Sequence, residues 1–281
     1  MKRLIVNADD FGLTNGVNRA VADLHCAGLL TSTTLMARAG ATEGAIELAR
    51  ATPAMGVGCH VVLLDGEPAM AREKIPSLVD GRTGSLYVSA GGFVGRLLTR
   101  QVRAEEIEAE ARAQIQFLQE KGLRLTHVDT HKHTHMFPMV LRAVLRAARA
   151  CGVRAVRNPF EPAWAVRAQE GTRLVRVAEV TLLRWLRPAC LRIIAQEGFA
   201  TTDGTIAVVG TGVLDASMVR RLMMHLPEGT WELVTHPGYN DADLARVRTR
   251  LRESREIERE ALEAIREFPE IELISFGELA G

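Results

Sequence analysis

Short apolar runs alternate along the chain with longer stretches of helical pattern. The runs lie at 3–8, 32–37, 56–64, 124–130, 155–159, 205–210, 231–236 and 271–276, and several are rich in β-branched residues. Between them the pattern turns helical over 15–27, 42–51, 103–121, 138–151, 214–226 and 241–267. Strands alternating with helices predict βα units on a parallel sheet, the α/β class. Seven or eight such units closing on themselves make a distorted (β/α) barrel. Two stretches break the rhythm, 65–100 and 160–200, the first dense in glycine and turn residues. Both follow predicted strands. The expectation is one barrel domain over 1–281 with two long insertions at its catalytic mouth.

Polar residues gather where the apolar runs end. Asp9 and Asp10 close the first run, His60 sits in the third, "THVDTHKHTH" ends the fourth and "VTHPGY" ends a late one. In a parallel barrel the strand ends share one face, so these residues converge there. Two adjacent carboxylates at the end of a buried strand repel each other, and the fold must supply compensation. His127, Asp129, His131, His133 and His135 recur at every second position, and four of the chain's eight histidines fall within nine residues. The strand is expected to end near Thr130, with His131 to His135 on the following loop. A lone histidine is usually solvated or bonded to nearby backbone. A run of this density facing Asp10 and His60 points instead to a divalent metal. Imidazoles with one carboxylate favour Zn²⁺ or a similar first-row ion over Mg²⁺, which prefers oxygen. Three protein ligands leave a position for water, as in catalytic sites.

Other polar positions follow the same logic. Cys59 neighbours His60 but points to the opposite face of a strand, so it is read as core. His236 precedes Pro237 and Gly238, which turn the chain and let the histidine enter the mouth as a proton donor or acceptor. Arg157, at another strand end, is placed to pair with Asp9, to contact substrate or to form a surface ion pair.

Composition narrows the field. Apolar residues make up 47% and charged residues 25% of 281 positions, which suits a globular protein with a large core. A net charge of +1 gives no general case for nucleic acid. The four cysteines lie far apart, without a CxxC pair, so neither a disulfide framework nor a zinc ribbon is indicated. The first residues lack an export core, and no run of about 18 apolar residues exists, so a cytoplasmic location is expected.

Five linked motifs, "NADDFGLTNGVNRA", "TSTTLM", "GCHVVL", "THVDTHKHTHMFP" and "THPGY", together resemble the YdjC-like carbohydrate deacetylases over nearly the whole chain. The resemblance implies a distorted (β/α) barrel and metal-dependent removal of N-acetyl groups from amino sugars. Position by position, it implies Asp10, His60 and His131 as metal ligands and Asp9 as catalytic base. His236 then serves as the acid for the leaving amine, and Arg157, Tyr239 and His135 are assigned to substrate contacts. A chito-oligosaccharide deacetylase is one branch of the family and a hopanoid-pathway enzyme another. The rival chemistry is a metal-dependent phosphoesterase or amidohydrolase on a similar barrel. Amidohydrolases usually carry HxH on the first strand, where this chain carries the aspartate pair. A metal- or sugar-binding module without turnover is the rival from another class.

The segment 172–187 adds something the barrel does not need. On a helix, Arg173, Arg176, Arg184 and Arg187 fall on one face, and Leu174, Val175, Ala178, Leu182, Trp185 and Leu186 on the other. Pro188 is expected to end or kink it. One reading packs this helix on the barrel or on a second subunit, giving a homodimer. The other lays it on a membrane surface and suits a lipid-linked amino sugar of the hopanoid branch.

Overall fold

In the computed structural model, which describes residues 1–169, 172 and 174–279, the first apolar run becomes the central strand of the sheet. β1 (Lys2–Phe11) is buried from Leu4 onward. It is followed by α1 (Asn15–Cys26), β2 (Ser32–Leu35), α2 (Thr42–Ala51), β3 (Gly56–Val61), α3 (Ala90–Leu98), α4 (Ala104–Glu120), β4 (Val128–Thr130) and α5 (Pro138–Ala150). Then come α6 (Ala163–Ala168), α7 (Leu174–Leu183), α8 (Arg187–Gln196), β5 (Gly204–Ile206), α9 (Ala216–Met224) and β6 (Gly229–Thr235). α10 (Ala242–Arg246), α11 (Ser254–Ala261), β7 (Glu272–Leu273) and α12 (Phe276–Leu279) complete the described chain.

The sheet is parallel throughout, in the order β4-β3-β2-β1-β6-β5. Isolated parallel bridges from Val128 to Val156 and from Ala155 to Ala200 continue its wall from β4 toward β5. The distorted barrel expected from the sequence is therefore present. Its strands are shorter than the apolar runs. The run 155–159 makes only bridges, since Pro159 has no N–H to extend a ladder. The run 271–276 yields only two strand residues, because β2 already occupies Asn7–Phe11 of the β1 edge and leaves only Arg3 and Leu4 to β7. The long helix expected over 241–267 divides into α10, α11 and a 3₁₀ turn at Leu262–Glu267.

Neither insertion is a free loop. α4 buries Glu106, Glu110 and Gln114 along one face, at four-residue spacing, and uses them to tie down the first insertion. Glu110 accepts the backbone N–H groups of Ala69 and Met70 at 2.7 and 2.9 Å, and Glu106 accepts that of Ser77 at 2.7 Å. Gln114 brackets Val62, accepting its N–H and donating to its carbonyl. Glu110→Ala strands two N–H groups, each costing about 1–3 kcal/mol if it stays dry. The expected loss is about 2–4 kcal/mol in urea unfolding; no change in the midpoint would mean that water replaces the carboxylate.

In the second insertion the single helix expected over 172–187 is instead α7, one 3₁₀ turn (Arg184–Leu186) and α8. Pro188 opens α8 at a position where its missing N–H costs nothing. Arg173, with the side chains of Leu174 and Val175, lies outside the described residues. Arg176, Glu179, Val180 and Leu183 face the mouth, whereas Leu182 and Trp185 are 69% and 83% exposed. Leu183 and Leu186 pack on the barrel core. Cys59 is core, as expected.

Candidate active site

A bulge at the end of β1 resolves the paired aspartates. From Ala8 to Phe11 the strand advances three residues while its partner β2 advances two, from Thr33 to Leu35. The extra residue is accommodated by Asp10, whose φ of +64° lies in the left-handed region that aspartate tolerates better than most residues. In a regular strand the two carboxylates point to opposite faces. Here both line one cavity at the C-terminal ends of the strands.

Asp10, His60 and His131 form one cluster there. Asp10 Oδ1 lies 3.6 Å from His60 Nε2 and 3.4 Å from His131 Nδ1, and these two nitrogens are 3.2 Å apart. The other His60 nitrogen, Nδ1, is 2.8 Å from Asp129 Oδ1, the outer carboxylate that typically orients a metal-binding histidine. Burial pushes His60 down, yet Asp129, Asp9 and Asp10 outweigh it and raise its pKa to about 9. The cluster thus attracts a positive charge between its donors. One carboxylate oxygen and two convergent imidazole nitrogens fit a divalent ion. Arg255, buried on α11, donates to the other Asp10 oxygen at 2.5 Å. Against the cost of burial, Arg255, His131 and His60 hold Asp10 well below the usual carboxylate range.

Asp9 belongs to a second cluster directly beneath. Arg157 donates to its Oδ2 through Nη1 at 2.8 Å and to its Oδ1 through Nη2 at 2.6 Å. The same guanidinium reaches Asp129 and, through Nε at 2.8 Å, Glu232. Asn7 and Thr34 also donate to Asp9 Oδ1. Arg157 is wholly buried, which corrects its assignment to substrate: a cation closed in by three carboxylates has no route to a ligand. Of the expected alternatives it takes the pairing with Asp9. Burial pushes Glu232 up to about 7 despite Arg157, while Asp9 is held far below the carboxylate range against its own burial. Asp9, His60 and Asp129 also approach one another closely enough for a metal, but Arg157 already supplies the cation between those carboxylates.

The strand after α4 ends at Thr130, as expected, and Lys132 and His133 then adopt left-handed backbone angles within a 3₁₀ segment, His131–Met136. This turn scatters the histidines. His131 joins the Asp10 cluster and His133 lines the cavity. His127 stacks on Phe276 at 3.8 Å in the interior, where burial pushes its pKa down to about 3. His135 is fully buried, exchanging hydrogen bonds with Thr130, so its expected substrate contact is not made. Tyr239 is likewise displaced. The turn at Pro237 and Gly238 carries it outside the cavity, where its ring lies between Arg19 and Arg259 and its hydroxyl donates to Asp23.

His236 does enter the cavity, with Nε2 3.9 Å from Asp9 Oδ2. Its Nδ1 lies 3.6 Å from Glu258 Oε2 on α11. Burial lowers the His236 pKa, and Glu258, Asp9 and Asp10 more than reverse this, so it stands above the usual histidine value. Neither Arg255 nor Glu258 was legible in the sequence. They sit three residues apart in a strongly charged helix, "SREIEREA", with nothing to mark them off from the solvated charges around them.

The cavity measures about 990 Å³. Its floor is polar, and its walls include Leu64, Phe93, Met136, Phe137, Val180 and Leu183. Both insertions contribute, through residues 88–94 and α7, as their place after strands predicted.

The profile of the family described as YdjC-like protein matches residues 3–267. A carbohydrate deacetylase of Brevibacillus brevis is 34% identical over 239 residues, which span 85% of this chain and 82% of the relative. A carbohydrate deacetylase of Thermoanaerobacter pseudethanolicus is 29% identical over 262 residues, 93% of this chain and 91% of the relative. Among solved structures, an Enterococcus faecalis protein whose proposed role is cellobiose-phosphate cleavage is 26% identical, with a TM-score of 0.77 over 100% of this chain and 99% of its own. The lactam utilization protein of Thermus thermophilus, 16% identical with a TM-score of 0.53 over 97% of this chain and 99% of its own, shares the fold.

Proposed function

The chain belongs to the YdjC-like protein family, and from that premise we propose that it is a metal-dependent hydrolase removing the N-acetyl group from an amino sugar. The observation that carries this reading is the meeting of Asp10, His60 and His131 with Asp9 and His236 in one cavity. An acetamide resists hydrolysis because nitrogen stabilises its carbonyl and the amine leaves poorly. A divalent ion held by Asp10, His60 and His131 supplies Lewis-acid polarisation and lowers the pKa of water. Zn²⁺ or a similar first-row ion suits these donors better than Mg²⁺. Asp9, fixed by the Arg157 fork, accepts the proton of the attacking water through Oδ2, which faces His236. His236 delivers a proton from Nε2 to the departing nitrogen. An acetate-release screen over free, oligomeric and lipid-linked N-acetylglucosamine tests the proposal. Release that stops with a chelator and returns with Zn²⁺ supports it; stoichiometric metal without release from any amino sugar would make the chain a binding module.

The substrate proposed is one whose sugar carries an apolar, lipid-like aglycone. The apolar cavity walls support this, as does the stretch where α7 passes into the 3₁₀ turn and α8, with Leu182 and Trp185 exposed close to Arg184 and Arg187 in the chain. An interfacial helix places basic residues at anionic headgroups and Trp with Leu below them. Among the described residues no helix is long and apolar enough to cross a membrane, so the contact proposed is peripheral. Leu182→Ser with Trp185→Ser is expected to weaken binding to anionic vesicles at least tenfold and to slow release from a lipid-linked sugar, sparing a small soluble one. Unchanged vesicle binding, with a homodimer dissociating in its place, would assign that face to a second copy.

A further inference from the structure

His236 is gripped from behind by a single buried side chain. Glu258, 1% exposed, accepts the backbone N–H of His236 at 2.7 Å through Oε2, and the same oxygen lies 3.6 Å from the ring Nδ1. Its second oxygen accepts the N–H of Gly212 at 3.0 Å. Among the described residues, the His236 ring is the only potentially cationic side chain within ion-pair distance of Glu258. Arg255, one turn earlier on the same helix, is directed to Asp10 and reaches His236 only at its carbonyl. A buried carboxylate without a cation is costly, and an imidazolium is the cheapest cation within reach. The charged groups around the ring are Glu258 and Arg255 from α11 and Asp9 and Asp10 from β1.

We propose that Glu258 is the positioning residue that makes His236 a proton donor, holding Nδ1–H on its own side so that Nε2 faces the cavity and the leaving nitrogen. Two backbone N–H groups fix the carboxylate, and its Oε2 is the acceptor nearest a buried ring Nδ1 that has no hydrogen-bond partner among the described residues. No contact between Glu258 and substrate is involved. The inference rests on the reading of His236 as the acid in deacetylation, and it adds a residue on a helix that supplies no metal ligand.

Glu258→Gln keeps the shape and removes the charge. Two consequences are expected in the metal-loaded enzyme. Acetamide hydrolysis falls at least about 10-fold, the lower end of what losing a carboxylate partner costs a metal-binding histidine, while hydrolysis of an activated acetate ester, whose leaving group needs no proton, changes less than threefold. The alkaline limb of the amide pH profile moves to lower pH, because His236 must be protonated to act and loses the charge that held its proton. In a His236→Ala background Glu258→Gln has no further effect on amide turnover, since two residues acting through one step are not additive. A merely structural Glu258 gives equal losses on amide and ester, and the same loss with or without His236; either result overturns the proposal. The imidazole ¹⁵N signals of His236 give a readout that needs no turnover. Wild-type protein should show Nδ1 protonated and the variant a mixture of tautomers; identical signals overturn the proposal whatever the substrate. Absence of acetate release from wild-type protein on every amino sugar would sink the deacetylase reading and leave the ¹⁵N test standing.

Discussion

Asp9→Asn leaves the metal stoichiometry unchanged and lowers acetate release about 10²–10⁴-fold, the usual contribution of a general base. The neighbouring Asp10→Asn does the reverse, losing metal first and activity as a consequence. The contrast follows from the bulge at the end of β1, which turns both side chains into the cavity but gives them different partners. Asp10 Oδ1 faces two imidazole nitrogens, whereas Asp9 faces Arg157 below and His236 above. Metal analysis by mass spectrometry, run beside single-turnover acetate release, separates the two. Metal loss from the Asp9 variant would show the ligand and base roles to be exchanged. Asparagine at position 9 still accepts one hydrogen bond from Arg157, so the loss of rate should exceed any loss of stability.

Arg157→Met is expected to be the most destabilising single change in the site, costing about 3–5 kcal/mol, the range for breaking a buried ion pair from one side. The guanidinium stands between Asp9, Asp129 and Glu232, all of them buried. Without it, their mutual repulsion and desolvation are borne by the fold or relieved by taking up protons. Urea unfolding at pH 8 and pH 6 reads both effects. The variant should recover part of its deficit at the lower pH, where Glu232, already raised to about 7 beside Arg157, is protonated. Lysine at this position restores the charge without the planar fork and should recover only a minor part. Wild-type stability in the methionine variant would mean that the carboxylates are neutral without help.

How far this arrangement could be read from the sequence depends on whether a feature is repeated or singular. The βα alternation is repeated, and it places the ends of β1, β3, β4 and β6 on one face, which is why Asp10, His60, His131 and His236 could be brought together in advance. The α1, α2, α4 and α5 boundaries fall within one residue of the helical pattern because amphipathic spacing acts locally, helped by the Thr14 cap of α1 and by Pro138 at the start of α5. Singular backbone events escape such reading. The left-handed pair Lys132–His133 sends His135 inward, and the turn after His236 sends Tyr239 outward. A strand-end position could not by itself show whether Arg157 lay at the surface or in a closed carboxylate cage. α11 escaped for the opposite reason: its two buried charges look like every other charge on a polar helix.

The three tryptophans give the molecule an optical division of labour. Trp164 and Trp231 meet edge to face, with ring centroids 5.3 Å apart at 88°, and Trp231 is buried. Trp185 stands almost wholly in water on the 3₁₀ turn after α7, outside the cavity lining. The packed pair, Trp231 buried and Trp164 half-buried, should emit at shorter wavelength and resist acrylamide more, while Trp185 should emit at longer wavelength and be quenched readily. A blue shift confined to the quenchable fraction would register whatever settles on the turn after α7, with the inner pair serving as a built-in gauge that the barrel itself has not changed.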